Sequence, residues 1–341
     1  MKILINKLKK LLALTTCLFI LASTGFAQED SKSDTKAVSA PVKAKPVKNT
    51  FQSIWIIDNQ TTMVPVKHTL EIDIQHRFGT INNGYQDFYG FFSSSNIRLG
   101  VNYSPINKLN LGIGLTKNNM LVDGSAKYAI FSQTKNKFPV NISYYVNMAV
   151  NTKKDPTIYD GKDIKNGTDR LSFFHQLIIS RKVTNKLSLQ VAPSISHQNA
   201  VGGYYTKNDS TGKEIFKTMK NTHFAIAFSG RYKVTNVMSV MVNYDQPLTK
   251  HPAYNPDPNL SFGIEINTSS HSFQLFFGNY YYLSPQMNNL FNTNAPFSYT
   301  DETKTHPNRK DDNPNTPNDE STRVRGGRFL IGFNITRLWN Y

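Results

Sequence analysis

The sequence predicts an all-β protein: a transmembrane, up-and-down antiparallel β-barrel of about twelve strands, with ten and fourteen as the alternatives. Three observations carry that reading. The amino terminus has the composition of an export signal. After residue 50 the chain repeats short segments of period-two hydrophobicity, and the connections between them alternate between short and long.

The export signal comes first. Lys2, Lys7, Lys9 and Lys10 precede an apolar stretch from Leu11 to Phe26 that contains no acid. Gly25 and Ala27 put small residues three and one positions before a cut after Ala27, as a signal peptidase requires. Thr15, Thr16, Ser23 and Thr24 dilute the stretch, so residues 1–27 read as a cleaved signal peptide rather than a spanning anchor. Cys17, the one cysteine, lies inside it, and Leu14-Thr15-Thr16 is a poor lipid-attachment box. The exported chain is then free of thiols, which excludes disulfides, thiolate metal sites and cysteine nucleophiles. Residues 28–50 are rich in Lys, Ser, Ala and Pro and hold no aromatic residue, so they read as a disordered periplasmic tether.

Residues 51–341 carry the barrel. Leu70, Ile72 and Ile74 alternate with Glu71, Asp73 and Gln75; Leu109, Leu111, Ile113 and Leu115 alternate with Asn110, Gly112, Gly114 and Thr116. Successive strand side chains point to opposite faces, so each such segment has one greasy and one polar face. Twelve segments follow this rule, near 70–78, 96–104, 108–118, 121–131, 139–149, 170–182, 186–198, 222–234, 237–245, 260–267, 271–283 and 327–338. Most reach the roughly 9–11 residues that a tilted strand needs to cross a bilayer. The segment at 170–182 alternates weakly, and Pro193 in its successor predicts a bulge or a rim position because proline has no N–H for the ladder.

The connections separate a soluble sandwich from a membrane barrel. Short links occur at 104–107, 133–138, 184–185, 235–236 and 268–270, and long ones near 79–95, 150–169, 199–221, 246–259 and 284–326, with a shorter one at 118–121. Tight periplasmic turns and extended external loops give a barrel that alternation, and an even strand number puts both termini in the periplasm. The chain holds 17 Tyr, 22 Phe and 2 Trp, with Tyr103, Tyr128, Tyr232, Tyr244, Tyr280 to Tyr282 and Trp339 near strand ends, where interfacial girdles form. Ile331, Phe333, Ile335 and Trp339 share a parity at the end of the chain, the kind of signal that barrel-assembly machinery reads, with Arg337 breaking the pattern.

From about Phe51 to Gln133, the run His76-Arg77-Phe78-Gly79, Arg98-Leu99-Gly100, Gly112-Ile113-Gly114, Asp123-Gly124 and Lys127-Tyr128 resembles an uncharacterised Bacteroidota family of outer-membrane-type β-barrels, a domain of unknown function. Pro193, His197 and Asn199 extend the likeness; Gly114-Leu115-Thr116 departs from it, where Gly-Arg-Ser is expected. The resemblance implies fold and location and supplies no catalytic residue.

If the apolar faces meet lipid, the opposite parity lines the interior. The lumen-lining candidates are Glu71, Asp73, Arg77, Arg98, Lys127, Arg231, Lys233, Asp245 and Glu265. Charges of both signs favour a paired network that narrows the lumen over a selectivity ring. Inward Gly100, Gly112, Gly114, Gly263 and Gly332 leave room for a bound segment or for strand curvature. Residues 51–66 either plug the periplasmic mouth or add a strand. His76, His197 and Asn199 are rim candidates. Ser196 and His197 are adjacent on a strand and face apart, which argues against the hydrolase reading that they and Asn199 invite. The loop at 301–325 clusters Asp311, Asp312, Asp319 and Glu320 but lacks the spacing of a calcium loop. No metal or other cofactor is expected.

The leading expectation is a non-enzymatic outer-membrane protein of a Gram-negative bacterium, a narrow pore for small solutes. A structural or surface-interaction barrel with a closed lumen comes second, and a lipid-modifying barrel enzyme third. The expected partners are outer-membrane lipid, barrel-assembly machinery and small solutes. Despite the net charge of +16, no nucleic-acid-binding motif is present, and anionic lipid headgroups or acidic surface glycans are the fitting partners for the basic excess.

Overall fold

The computed structural model describes residues 45–154, 157–158, 162–164, 166–207, 214–251, 255–300, 323–324 and 326–340. The signal peptide, residues 28–44 of the tether and the acidic cluster of the 301–325 loop lie outside the described residues.

Twelve strands close on themselves: β1 (Thr69–Thr80), β2 (Asn96–Ile106), β3 (Leu109–Thr116), β4 (Leu121–Phe131), β5 (Asn141–Asn151), β6 (Leu171–Lys182), β7 (Leu187–Gln198), β8 (Thr222–Lys233), β9 (Met238–Pro247), β10 (Asn259–Asn267), β11 (His271–Gly278) and β12 (Leu330–Asn340). Each pairs antiparallel with its neighbours in sequence, and β12 returns to β1 with Thr69 opposite Asn340 and Thr80 opposite Leu330. Closure removes both sheet edges, the condition for strands in hydrocarbon. No helix among the described residues is long and apolar enough to cross a membrane.

The burial pattern follows the pleat. In β11, Ser272, Gln274 and Phe276 are buried while Phe273, Leu275 and Phe277 are exposed. The greasy parity therefore faces outward and the polar parity inward, the inverse of a soluble fold. Three of the five short turns are led by threonine: the Thr184 hydroxyl accepts the Leu187 amide at 2.9 Å, Thr235 the Met238 amide at 3.0 Å and Thr268 the His271 amide at 3.2 Å. A hydroxyl that satisfies turn amides sets the reversal without glycine.

Three local expectations are corrected, and a fourth is explained. Pro193 makes neither a bulge nor a rim; it sits within β7 opposite Ile226, and the β6 ladder opens between the Gln176–Ser194 and Ile179–Val191 pairs with its register kept. The missing N–H goes with one open stretch of ladder on that side. The weak alternation of β6 has a cause as well: Phe174 and Ile178 face inward and pack with Tyr145, Ala192 and Ala227, so both faces of the strand are apolar. The segment foreseen at 271–283 stops at Gly278, because the Asn279 side chain accepts the Leu260 amide at 2.6 Å and donates to the Pro258 carbonyl at 2.9 Å. Tyr280 is consequently not a girdle residue; it turns inward and its hydroxyl donates to Ser261 Oγ at 2.8 Å. Finally, residues 45–50, read as tether, are held at the short-turn end: the Val47 amide donates to the Gln133 carbonyl at 2.7 Å, and Lys182 Nζ to the Lys48 carbonyl at 3.1 Å.

Candidate functional site in the barrel lumen

Residues 51–66 do not add a strand to the barrel. They enter the lumen from the short-turn end, reverse through a two-by-two-residue hairpin (Trp55–Ile56 with Asn59–Gln60), and return to the same end, where the Lys67 amide meets Asn107 and the His68 amide meets the Ser104 carbonyl. The sequence explains the shape. Ile54, Trp55, Ile56 and Ile57 form an apolar arm, and Asp58, Asn59, Gln60, Thr61 and Thr62 a polar one, so the hairpin lays grease on one wall and hydrogen-bonding groups on the others. On the apolar side, Phe51, Ile56 and Ile57 pack with Met241 and Phe276.

Side chains from nine of the twelve strands hydrogen-bond to this plug, and Arg98 on β2 lies over its Trp55 ring, 5.6 Å from the centroid. Lys127 Nζ donates to Gln60 Oε1 at 2.8 Å and to the Thr61 carbonyl at 3.2 Å. Arg77 pairs with Asp58 and donates to Asn334 Oδ1 at 3.0 Å, with its guanidinium 4.4 Å from the Phe276 ring centroid. Arg231 donates to Gln52 and, at 2.5 Å, to Glu265. Asn59 Nδ2 donates to Asp245 at 2.8 Å and to Asn243 at 3.0 Å, while Gln176 donates to Asn59 Oδ1 at 2.9 Å. Gln190 donates to the Gln60 carbonyl, Gln274 to the Trp55 carbonyl and Asn334 to the Ile57 carbonyl, at 2.7–2.9 Å. Ser143 and Ser180 meet Thr62. Ile57 sits at the tip with φ 58°, a left-handed conformation that a β-branched residue rarely adopts and that costs about 1–3 kcal/mol. Gln274 and Asn334 clamp its amide and carbonyl, which holds it there.

A second element reaches into the barrel from the opposite end. Helix α1 (Pro285–Phe291) lies in the long β11–β12 connection and packs against β6, β7 and β8. Gln286 donates to Asn147 at 2.9 Å, and Asn288 donates to Asp58 at 3.4 Å, so the helix and the plug touch inside the barrel. Beside α1 a cavity of about 250 Å³ opens among Asn118, Asn151, Arg170, Gln198, Tyr282 and Phe291.

Of the nine lumen candidates, eight are buried on the inner face. Arg98 makes the tightest knot, donating to Asp73 at 2.8 Å and, through Nε and Nη2, to Asp123 at 2.9 and 2.8 Å. Glu71 lies within electrostatic reach of Lys127 and Asp73. Arg77, Lys127, Arg231, Asp245 and Glu265 belong to the plug contacts above. Lys233 is the exception: as the last residue of β8 it stands half-exposed at the short-turn rim. The inward glycines mostly serve the side chains beside them. A Cβ at Gly114 would lie 2.2 Å from Arg98 Nη2, and one at Gly100 2.2 Å from Asp73 Oδ2. Flat glycine patches are what let the Arg98 knot lie along the wall.

The rim candidates face away from the lumen. His76 stacks on Phe333 with centroids 5.0 Å apart, His197 Nδ1 bonds Thr222 Oγ1 at 2.8 Å, and Asn199 donates to the Thr168 carbonyl at 2.8 Å. Ser196 is buried on the inner face and His197 lies on the outer one, so the two cannot act on one substrate. At the long-loop end, His223 Nδ1 and His251 Nε2 lie 3.0 Å apart. Burial pushes His251 down to about 4, with Lys220 adding to the effect.

Asp58, Gln52, Asn59, Gln60 and Asp123 were missed by the sequence reading. Asp123 was legible, since it shares the parity of Lys127 on β4. The plug residues have no strand period, and only the polar run after an apolar one marks them.

A family model described as "Membrane bound beta barrel domain (DUF5777)" matches residues 51–339. Among solved structures, the chain is similar to the NanC porin at 8% identity and a TM-score of 0.40, covering 80% of this chain and 99% of that one. It is similar to the COG4313 outer membrane channel from Pseudomonas putida F1 at 12% identity and 0.42, covering 81% and 97%. It is also similar to LpxR from Salmonella typhimurium at 8% and 0.33, covering 80% and 100%. No curated protein matches it.

Proposed function

Because this chain belongs to the membrane-bound beta barrel domain family DUF5777, we propose that it serves in the outer membrane as a gated conduit for small polar solutes, shut at rest by its own amino-terminal hairpin. The short turns face the periplasm and the long loops the exterior. The observation that carries the reading is the way the plug is held. It adds no rung to the barrel sheet and is bound by side chains, most of them through hydrogen bonds to amides, hydroxyls and three cations. A segment fixed so can leave without opening the β1–β12 seam. Its departure bares a wall of Arg, Lys, Glu, Asp, Asn and Gln, a polar path of mixed sign.

Planar-bilayer conductance tests this directly. The full chain is expected to stay mostly silent, and a variant lacking residues 51–62 to show steady single-channel steps. Silence from a deletion variant that keeps the heat-dependent gel mobility of a closed barrel would sink the conduit and favour a closed-lumen barrel that acts through its surface. The apolar cluster of Phe51, Ile56, Ile57, Met241 and Phe276 supports that second reading, since it anchors the plug permanently if the polar contacts do not decide.

A further inference from the structure

The β1–β2 connection carries five aromatic residues in eight positions, Tyr85, Phe88, Tyr89, Phe91 and Phe92, and presents them to the surroundings. Tyr85 and Phe92 are each 82% exposed, more than any other large apolar or aromatic residue described. A contiguous apolar patch of this kind has a partner. The loop is also built to hold its shape. Phe88 and Tyr89 both take left-handed backbone, at φ 50° and 57°, rare for bulky residues. Asp87 ties the turn, its carboxylate accepting from the Gly90 amide and from Asn83, both at 2.9 Å, and the Tyr89 amide donates to the Gly84 carbonyl at 2.6 Å. Strain kept in place by so many local bonds points to a surface that matters as presented.

Which partner it meets follows from continuity with the lipid-facing wall. Phe91 packs on Phe78 with centroids 4.6 Å apart, Phe78 lies 6.0 Å from Phe333, and Phe333 stacks on His76. Phe78, Phe333 and His76 are all on the outward parity of β1 and β12. The aromatic surface of the loop is therefore an extension of the wall that faces hydrocarbon. The stretch from Ile81 to Phe92 contains no Lys or Arg, and its one acid is engaged within the turn. Rings without charge suit the boundary between headgroups and acyl chains, where a tyrosine hydroxyl finds a polar partner while its ring stays buried.

We propose that residues 81–92 form a lipid-seated foot, folding outward at the long-loop end and inserting Tyr85, Phe88 and Phe92 into the adjoining leaflet of the bilayer. The foot fixes the depth and rotation of β1 and β2 against the membrane. It does so whether or not the lumen conducts.

The test uses site-specific fluorophores on a Cys17→Ser background, which leaves no other thiol. Phe92→Cys is labelled, refolded into vesicles of phosphatidylcholine with brominated acyl chains, and compared with Leu275→Cys on the outward face of β11 and with Lys153→Cys on another loop. Quenching at position 92 is expected within about twofold of that at 275 and several-fold above that at 153, with little quenching by aqueous iodide. Iodide quenching at 92 with no bromolipid effect overturns the proposal, and so does shielding from both quenchers, which would mean a protein partner or a second copy. Should Phe92→Cys fail to fold, as read by heat-dependent mobility, Tyr85→Cys carries the same comparison.

Discussion

Asp58→Ala offers the sharpest probe of how the plug is held. Asp58 is the carboxylate paired with Arg77, whose side chain is wholly buried. Removing one partner of a buried ion pair costs about 3–5 kcal/mol, because the other charge stays out of water uncompensated. Arg77 keeps Asn334 at 3.0 Å, the His76 carbonyl at 2.8 Å and the Phe276 ring, so the lower end applies. Asp58 belongs to the plug and Arg77 to the wall, so the loss falls on docking rather than on the barrel. A shift of about 3 kcal/mol moves the docked-to-undocked ratio roughly a hundredfold. Single-channel recording should show open probability rising by about that factor, with unit conductance equal to that of the chain without residues 51–62. The double variant Asp58→Ala/Arg77→Met removes both charges and replaces the guanidinium with an apolar chain against Phe276, so most of the closed state should return. An unchanged open probability in a folded Asp58→Ala barrel would refute the electrostatic latch. A double variant as open as the single would place the effect in lost packing instead.

Two further outcomes are expected. Arg98→Met leaves Asp73 and Asp123 buried without their cation, so the barrel itself should weaken by about 3–5 kcal/mol, seen as a lower urea midpoint in the heat-modifiability assay. His251, lowered from the ordinary 6.5 to about 4, is folded in its neutral form, so its contribution is complete above pH 6.5 and is lost as pH falls toward 4. Protease nicking of the β9–β10 loop should rise across that window, and His251→Gln should flatten the rise; equal nicking at pH 7 and pH 4 in the native chain would remove the histidine from the account.

The strands were legible because lipid outside and polar groups inside force a strict parity, and parity survives in a single sequence. Glu71, Asp73, Arg77, Arg98 and Lys127 could be assigned to the inner face on that rule alone. Their partners could not, because pairing across a lumen depends on register and on what else fills the space. Arg98 reads as one charge among several until β2 sets it between Asp73 on β1 and Asp123 on β4. The hairpin at 51–62 was the harder case. Its residues obey no period, since each answers to a different wall, and the choice between plug and extra strand is made by contacts more than a hundred residues away in sequence, such as Asn59 with Asp245. The inward face of β6 was obscured for the opposite reason: Phe174 and Ile178 pack against Tyr145 and Ala192 within the lumen, so hydrophobicity stopped reporting direction.

The return of the hairpin to its own mouth has a consequence for topology. The chain passes the Gln133 and Lys182 rim on the way in and the Ser104 and Asn107 rim on the way out, both at the short-turn end. Helix α1 likewise descends from the long-loop end and goes back there. Neither segment runs through the ring of strands from one side to the other, so the closed barrel and these two segments are not linked like thread and needle. Each can be withdrawn toward its own side while the ring stays shut and the other remains seated. Asn288 on Asp58 is a touch between them across the lumen, joining segments anchored at opposite ends of the barrel.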